Sequence, residues 1–320
     1  MWFPTVRTGT GTDVSTLRLA SGLADRGIRT EITWLPLHAE YAPWAVPVPK
    51  SPEWATVAHV NTWLHPRFLP EHLPVVVSLR HSVHHPALDP YKGLARRLYH
   101  RYWMLPFERR VLRRAKVVAA VSQFAAETTR KFVLDRSMQV IYNGVDTNCF
   151  RPPQQRTPHQ PFRLLYAGSW MARKGVDLLT PIMLELGDAF ELRYTGGSAA
   201  ERCKRSMPRN MHDIGRLRGD DAVIGAMQQA DALLFPSRSE GFGLVAAEAM
   251  ACGLPVIATR GSSLVEVVED SETGFLCACD DLGSFVAAAR TLAEHPDLWD
   301  RRSKSARKRA MNIFGMNRMI

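Results

Sequence analysis

The regular alternation of short apolar runs with amphipathic helical stretches limits the fold of this chain more than any other feature. Strand-like runs occur at residues 1–6, 30–35, 56–60, 74–79, 117–121 and 139–142, and again at 162–168, 190–196, 232–236 and 255–259. Helical stretches stand between several of these runs, which is typical of parallel βαβ construction. The sequence therefore predicts an α/β protein.

A proline- and glutamine-rich break divides this alternation into two halves. The break, FRPPQQRTPHQP at residues 150–161, has no hydrophobic periodicity and is interpreted as a linker. We therefore predict two Rossmann-like doubly wound domains that face each other across a cleft, with ligands at the carboxyl ends of the strands. The predicted domains are residues 1–155 and 156–300, followed by a basic C-terminal helix over residues 301–320.

The basic residues exceed the acidic ones, which indicates an anionic partner. Lys and Arg number 41 and Asp and Glu number 31, so the formal net charge is +10. Such a surplus is typical of proteins that bind nucleic acid, a phosphate-bearing ligand or an acidic membrane. No nucleic-acid-binding module accompanies the charge, so no nucleic-acid partner is expected.

Much of the charge lies in two segments, which predict basic surfaces. Residues 92–116 hold nine Lys or Arg and one acidic residue, and residues 301–320 hold seven and none. Aromatic side chains are interleaved in the first segment, at Tyr99, Tyr102, Trp103 and Phe107. This pattern predicts docking of residues 92–116 on an anionic membrane surface. A solvated helix with snorkelling arginines is the alternative.

The cysteines and the N-terminus indicate a cytoplasmic protein. The five cysteines are scattered and odd in number, which favours reduced thiols over a disulfide framework. Cys277 and Cys279 have no second pair at zinc spacing, so no metal site is predicted. The N-terminal residues lack a signal-peptide pattern, and no apolar run is long enough to span a bilayer. Peripheral attachment to the inner face of the cytoplasmic membrane is a further hypothesis.

Residues 235–259, FPSRSEGFGLVAAEAMACGLPVIAT, carry the clearest chemical pattern. A predicted strand ends at Phe235, a polar loop follows, and glycines open a helix. Glycines at a helix start let a ligand approach the backbone, and the free N–H groups there favour phosphate. Glu240 precedes this helix, and Glu248 is expected about two turns inside it. A carboxylate on an apolar helix needs donors, which ligand hydroxyls, a core arginine or the backbone would supply.

The arrangement of Glu, seven residues and Glu resembles the signature of the family-4 retaining glycosyltransferases of the GT-B fold, also called glycosyltransferase group 1. Three further segments resemble the same family in the same order. They are VIYNGVDTNCFRP at 140–152, LLYAGSWMARKGVDLL at 164–179 and GSSLVEVVEDSETGFL at 261–276. The resemblance covers about residues 115–280 with little gap, and the N-terminal half matches more loosely.

The resemblance implies roles for the two glutamates in binding a nucleotide sugar. It assigns Glu248 to the ribose hydroxyls and Glu240 to the transferred sugar, since ionised carboxylates accept two hydroxyl donors each. The backbone that follows Glu240 is expected near the sugar and the diphosphate, at Gly241, Phe242, Gly243 and Leu244. The resemblance also implies a C-terminal helix that crosses back onto the first domain.

The sequence departs from the family at the phosphate-binding loop. Family members commonly have Gly-Arg followed five residues later by Lys-Gly, whereas Gly168 is followed here by Ser169. Lys174 and Gly175 are retained, so Lys174 is expected to neutralise the diphosphate. Arg173 is either the replacement for the missing arginine or a surface residue, and the sequence leaves both readings open.

Two segments of the first half resemble ligand-binding loops of the family. Gly9, Thr10 and Gly11 fail as a dinucleotide fingerprint because position 14 is Val, but they resemble the glycine loop held against the donor phosphates and the acceptor. A tight turn without a ligand is the alternative. In SLRHSVHH at 78–85, His81 is expected to face the transferred sugar, and Arg80 would do so after a one-residue shift of register.

Three other histidines of this half are assigned to structural positions. His84 and His85 are expected on the loop that follows the predicted strand at 74–79. His59 is interpreted as a core histidine at a strand end, with a ligand contact as the alternative.

The implied reaction is transfer of a hexose from a nucleoside-diphosphate sugar to an acceptor hydroxyl with retained anomeric configuration. A lipid-linked oligosaccharide or a glycan is the expected acceptor, in cell-surface polysaccharide or glycolipid assembly. No metal and no cofactor are expected, and the sequence has no Asp-x-Asp pair. A degenerate GT-B scaffold subunit, motivated by Ser169, and a GT-B nucleotide-sugar epimerase are the alternatives.

Overall fold

The computed structural model describes all residues 1–320. The chain forms two compact units, of which the first comprises Met1–Gly144 and Met316–Ile320 and the second comprises Val145–Gly315. The division precedes the proline-rich linker, which therefore belongs to the second unit. The last five residues belong to the first unit.

A parallel six-stranded sheet forms the centre of the first unit. Its strands are β1 (Trp2–Val6), β2 (Glu31–Leu35), β3 (Ala58–Asn61), β4 (Val75–Leu79), β5 (Val117–Ala120) and β6 (Gln139–Val140). They lie in the order β2-β1-β3-β4-β5-β6. The central strands are rich in buried valine, as expected for a parallel sheet covered on both faces.

The helices of the first unit connect these strands. They are α1 (Gly11–Ala24), α2 (Leu94–Leu98), α3 (Leu105–Arg114) and α4 (Gln123–Phe132). A π-helical segment, Tyr99–Met104, joins α2 to α3 without a break. Two short 3-10 turns, Leu37–Glu40 and Pro43–Ala45, follow β2.

The second unit is built on another parallel six-stranded sheet. Its strands are β7 (Phe162–Tyr166), β8 (Phe190–Tyr194), β9 (Met211–Asp213), β10 (Ala232–Phe235), β11 (Val256–Thr259) and β12 (Gly274–Cys277). They lie in the order β12-β11-β10-β7-β8-β9. The structure contains all ten strands that the sequence predicts and adds β9 and β12, one at each edge of this sheet.

The helices of the second unit cover both faces of its sheet. They are α5 (Val176–Leu186), α6 (Gly219–Gln228), α7 (Leu244–Ala251), α8 (Leu264–Val267), α9 (Leu282–Glu294) and α10 (Pro296–Ile313). The final helix, α11 (Met316–Met319), belongs to the first unit. There the backbone N–H of Gly144 donates to Sδ of Met319 at 3.1 Å, and Arg26 donates to the carbonyl of Asn317 at 3.2 Å.

The basic surface expected beyond residue 301 is only partly present, because several arginines of α10 point into the second unit. Arg302 is buried, donates to the carbonyl of Gly274 at 3.0 Å and stacks on the Phe275 ring at 3.7 Å. Arg307 and Arg309 also donate to backbone carbonyls of the second unit. Their side chains satisfy the ends of neighbouring elements, so much of this charge is turned inward.

Each sheet reverses its strand order once, between β1 and β3 and between β7 and β10. Such a reversal is the usual ligand position of an open parallel sheet, outside the carboxyl ends of the two strands. The prediction of two Rossmann-like doubly wound domains is confirmed. None of the helices combines the length and the apolar character needed to cross a bilayer.

Candidate active site

The loops that follow β7 and β10 meet at the reversal point of the second sheet. The two strands are paired through Leu164 with Ala232 and Leu165 with Leu233. Because parallel strands end at the same edge, the loop that begins at Gly168 and the loop at 236–243 lie side by side. These loops carry most of the residues that the sequence assigns to donor binding.

Lys174 and Glu240 form a buried ion pair between these loops. Nζ of Lys174 donates to Oε1 of Glu240, and the two side chains are only 15% and 10% exposed. The contact requires a close approach at Gly175, which has a φ of +71°. A Cβ there would lie 2.0 Å from the carbonyl oxygen of Pro236, so no other residue fits without a backbone shift.

Burial and opposite charge act against each other in this pair. Burial lowers the pKa of Lys174, which Arg173 lowers further and Glu240 raises. Burial alone would raise the pKa of Glu240, but the charges of Lys174 and Arg173 and the hydrogen bond from Lys174 hold it below its ordinary value. Positive charge thus outweighs desolvation at Glu240, whereas the charge of Glu240 offsets desolvation only in part at Lys174.

Arg173 faces the Glu240 loop. Its Nη1 donates to the carbonyl of Ser239 at 2.6 Å, and its charge acts on both members of the ion pair. Ser169, where the family has arginine, uses its carbonyl to accept from the hydroxyl of Tyr166 at 2.9 Å. Gly168 is held by the side chain of Thr195, which donates to its carbonyl and accepts from its N–H at 2.9 Å. The second unit therefore holds two cations, Arg173 and Lys174, beside Glu240.

Glu248 is a buried carboxylate on an apolar helix, as its position in the sequence indicates. The helix begins later than expected, at Leu244, so Glu248 lies just over one turn inside it and not two. The delay is caused by Gly243, whose φ of +92° is outside the helical region. A Cβ at Gly243 would also lie 2.8 Å from Cδ2 of Leu264. Glycine is therefore required at this position both for its conformation and for its size.

The Phe242 side chain belongs to the core of the second unit. It is 3% exposed, and its ring lies 5.5 Å from that of Phe314, in an edge-to-face arrangement. Burial of this ring anchors the turn from Gly241 to Gly243. Any contact of this turn with a ligand is thus made by its backbone, in line with the expectation from the sequence.

Glu240 is held in place by three polar residues to which the sequence assigned no role. Ser262 accepts from the Glu240 N–H at 3.0 Å, and Ser263 donates to the Glu240 carbonyl at 3.0 Å. Arg238 makes a bidentate contact with Asp177 at 2.6 and 2.7 Å. A second contact joins it to Asp280 at 2.6 Å. The two serines lie in GSSLVEVVEDSETGFL, so this segment was recognised but its function was not.

The glycine loop of the first unit is hydrogen-bonded to the carboxylate of Asp13. Asp13 accepts from the N–H groups of Thr8 at 3.1 Å and Gly9 at 2.7 Å. Thr10 caps α1 by accepting from the Thr12 N–H at 3.4 Å. Gly11 is the first residue of α1, and Gly9 has a φ of +68°. The structure thus brings Gly9, Thr10 and Gly11 to the reversal point between β1 and β3.

Arg80 occupies the same edge of the first sheet. Its Nε donates to Oδ1 of Asn61 at 3.0 Å, and its Nη2 donates to Oγ1 of Thr16 at 3.2 Å. Burial is the main reason why its pKa is lowered to about 10, and Asp13 opposes this effect. His81 follows on the same loop and is half-buried. Arg80, the alternative to His81 in the sequence-based prediction, therefore contacts both the end of β3 and α1.

The other histidines of this region have structural surroundings. His59 is buried in β3, its Nε2 lies 3.0 Å from Oγ of Ser78, and its ring lies 5.0 Å from that of Phe3. Burial, reinforced by Arg80, lowers its pKa to about 3, so it is neutral at physiological pH. His84 follows β4 on the loop, where its Nε2 is 2.6 Å from Oε2 of the buried Glu108.

No group of three or more His, Cys, Asp or Glu side chains is arranged to hold a metal ion. The five cysteines are free thiols. Cys277, the last residue of β12, is buried, whereas Cys279 lies beyond the strand and is exposed.

Comparison with known proteins matches both units to one enzyme class. The sequence model described as glycosyl transferases group 1 matches residues 161–295, and that described as glycosyltransferase family 4 matches residues 50–148. Glycogen synthase of Mycobacterium tuberculosis is 30% identical over 184 residues, covering 55% of this chain and 44% of the relative. The chain spans about half the length of the curated relatives it matches.

Two solved structures share the whole fold at low sequence identity. Sucrose-phosphate synthase from Thermosynechococcus elongatus superposes with a TM-score of 0.79 at 19% identity, covering 100% of this chain and 96% of the other. HepE of Anabaena in complex with UDP-glucose superposes with a TM-score of 0.74 at 17% identity, covering 100% and 97%. At these identities the likeness concerns the fold alone.

Proposed function

Because the chain belongs to the family-4 glycosyltransferases of group 1, we propose that it transfers a hexose from a nucleoside-diphosphate sugar to an acceptor hydroxyl, with retention of the anomeric configuration. The single observation that carries the proposal is the buried Lys174–Glu240 pair at the reversal point of the second sheet. The UDP-glucose bound by HepE, which shares the fold, supports a nucleotide-sugar donor.

Lys174 is the group that stabilises the departing diphosphate. Its ammonium is fixed in a buried position before the ligand arrives, so little reorganisation is needed as negative charge develops on the leaving group. Arg173 adds a second positive charge on the same loop and takes over the role of the arginine that Ser169 replaces. The N-terminus of α7 contributes N–H groups with the same sign of potential.

The two glutamates orient the donor. Glu240 accepts from hydroxyls of the transferred sugar, and Glu248 accepts from the ribose hydroxyls, because ionised carboxylates form strong directional bonds with paired donors. Both are held by buried surroundings, which restricts their rotamers. Attack of the acceptor occurs on the face from which the diphosphate leaves, and the leaving phosphate oxygen accepts the proton of the acceptor hydroxyl. The anomeric configuration is thereby retained.

The proposed acceptor is a lipid-linked oligosaccharide or another glycan, and the reaction needs no metal. The first unit supplies Arg80, His81 and the loop from Gly9 to Gly11 at the edge of its sheet. A degenerate GT-B protein that binds nucleotide sugars without transfer is the second candidate, favoured by Ser169 at the arginine position.

Nucleotide release in the presence of UDP-, GDP- and ADP-sugars, with and without a panel of acceptors and with EDTA, tests the proposal. Acceptor-dependent release that is insensitive to EDTA is the expected result. Lys174→Met and Glu248→Gln are each expected to reduce kcat/KM at least about 100-fold, the usual cost of losing a charge-stabilising group. Glu272→Gln, which changes an exposed glutamate of the same unit, serves as control. Wild-type rates in both site variants would overturn the assignment, and nucleotide binding without any turnover would favour the scaffold candidate.

A further inference from the structure

The first unit carries a concentrated patch of exposed apolar side chains. Its most exposed members are Leu94 (72%), Tyr102 (68%) and Trp44 (65%). Leu37, Tyr41 and Leu98 are also about half-exposed. Tyr41, Trp44 and Tyr102 are the three strongly exposed aromatic residues of the chain. Since large exposed apolar patches are rare on monomeric proteins, this concentration needs an explanation in terms of a partner.

Contacts between aromatic rings join the two segments into one surface. The rings of Tyr41 and Tyr99 lie 5.8 Å apart, and those of Trp44 and Trp103 lie 6.2 Å apart. Nε1 of Trp103 also donates to the carbonyl of Glu40 at 3.3 Å. The short turns at 37–45 are therefore packed against the helical run that begins at residue 94. We call the exposed side chains of residues 37–44 and 94–102 the aromatic face.

Positive charge accompanies the apolar side chains. Leu94, Leu98 and Tyr102 recur every fourth residue along the helical run, and exposed arginines alternate with them at Arg96, Arg97 and Arg101. Arg97 donates to the backbone carbonyl of Asp89 at 2.7 Å. Residues 93–107 contain no acidic side chain. Glu108 is buried, with Oε2 2.6 Å from Nε2 of His84, and Glu40 is the one acidic residue within residues 37–44.

We propose that the aromatic face docks the first unit on an anionic lipid bilayer. Tryptophan and tyrosine favour the headgroup level, where an apolar ring and a polar tip are both accommodated. Leu94 and Leu98 insert beside them, and the three arginines contact lipid phosphates, as in interfacial amphipathic helices. The positive charge of the three arginines is complementary to anionic lipid. The apolar side chains project from short helical turns and can insert among the lipid headgroups. The proposal goes beyond the transfer reaction and does not depend on it.

Co-sedimentation of the full chain with vesicles tests this proposal. Binding is expected to vesicles containing about 30% phosphatidylglycerol in phosphatidylcholine and to be much weaker with phosphatidylcholine alone. Each arginine near an anionic surface contributes about five-fold to binding, so Arg96→Gln, Arg97→Gln and Arg101→Gln together are expected to weaken it about 100-fold. Salt at about 0.5 M is expected to weaken binding of the wild type in the same direction.

A matched variant separates this surface from net charge. Arg202→Gln, Arg205→Gln and Arg209→Gln together remove the same charge from exposed positions of the second unit, and binding is expected to stay within about two-fold of the wild type. Equal losses in the two arginine triples would overturn the proposal. So would failure of the wild type to bind anionic vesicles at low salt.

The apolar contribution is tested in the same assay. Trp44→Ser with Leu94→Ser and Tyr102→Ser is expected to lose at least about ten-fold in vesicle binding, whereas Leu184→Ser, an equally exposed leucine of the second unit, is expected to change nothing. Unchanged binding by the apolar triple would refute insertion. Dimers that form without lipid and disappear in this triple would reassign the face to a second copy of the chain.

The outcome is independent of the transfer reaction. The assay contains no nucleotide, so Lys174→Met is expected to bind vesicles like the wild type even where donor binding is lost. Conversely, the arginine triple of the aromatic face is expected to retain wild-type nucleotide binding. A failure of one proposal is thereby distinguished from a failure of the other.

Discussion

Replacement of Glu240 by glutamine is expected to tighten the binding of a nucleoside diphosphate, whereas loss of its partner Lys174 is expected to weaken it. Lys174 is engaged with Glu240. A diphosphate must therefore share or take over the ammonium group, and it also meets the negative charge of Glu240. UDP and GDP lack the transferred sugar, so they gain nothing from the proposed contact of Glu240 with that sugar.

The magnitudes follow from the strength of charged hydrogen bonds. Lys174→Met removes one such bond to the phosphate, worth about 1.5–3 kcal/mol, which corresponds to about 10- to 150-fold weaker binding. Glu240→Gln leaves the lysine with a neutral acceptor, and a neutral bond is about half as strong as a charged one. The cost of releasing Lys174 then falls by about 1 kcal/mol, which gives about five-fold tighter binding.

Isothermal titration of UDP and GDP into the wild type and the two variants measures these changes, with Glu272→Gln as the control. Glu240→Gln leaves a buried ammonium without its counter-charge, so the free variant is expected to unfold at a lower temperature and to recover more stability with nucleotide. Its gain in affinity is expected to fade as pH rises, because Glu240 no longer opposes the lowering of the Lys174 pKa. Equal weakening of UDP binding in both variants would refute the exchange of partners by Lys174.

Three further changes test the fold around the site. Gly175→Ala is expected to cost several kcal/mol, because a Cβ there would lie 2.0 Å from the carbonyl oxygen of Pro236; thermal unfolding measures the cost, and a value of only about 1–2 kcal/mol, that of the left-handed conformation alone, would contradict the clash. His59→Gln is expected to make the free energy of unfolding less dependent on pH. The pKa of His59 is about 3 in the folded protein and about 6.5 in the unfolded chain, so the unfolded wild type binds a proton first as the pH falls. The wild type should therefore lose about 2 kcal/mol more stability than the variant between pH 7 and pH 5. Denaturant titrations at the two pH values measure this, and parallel losses would contradict it. Arg238→Ala is expected to lower stability by about 1–3 kcal/mol and kcat/KM about ten-fold, since it fixes the Glu240 loop to two aspartates; an unchanged kcat/KM would show that the loop is positioned without it.

The parts of the fold that could be predicted are those with strong local patterns. The central strands are continuous apolar runs, and their alternation with helices indicates parallel sheets without further information. The edge strand β9 was missed because it has only three residues, of which two are polar, whereas β12 is apolar and its residues were assigned only to a motif segment. The helix boundary before Glu248 was misjudged because a glycine opens a helix or delays it according to its φ, and the residue letter does not distinguish these cases.

The exposure of charged side chains was harder to predict than the strands, because the sequence does not show whether a basic side chain points to solvent or into the protein. The arginines of α10 read as a surface, yet three of them turn inward to cap backbone carbonyls. In the run from residue 92 to 116 the reverse holds for Arg96, Arg97 and Arg101, which are exposed. The turns at 37–45 join this surface only through tertiary packing, so no local pattern connects them to it.

The pairing of Lys174 with Glu240 can be predicted from the sequence when the strand order is taken into account. The motif comparison assigned the two residues to different parts of the donor, and 66 positions separate them in the chain. In a doubly wound sheet, however, the first strand and the fourth are neighbours at the reversal point, and both residues follow those strands, β7 and β10. A lysine and a glutamate placed on adjacent loops at one buried edge must neutralise each other until a ligand intervenes. Lys174 and Glu240 therefore offset each other's charge, and Arg173 leaves a net positive charge beside the pair.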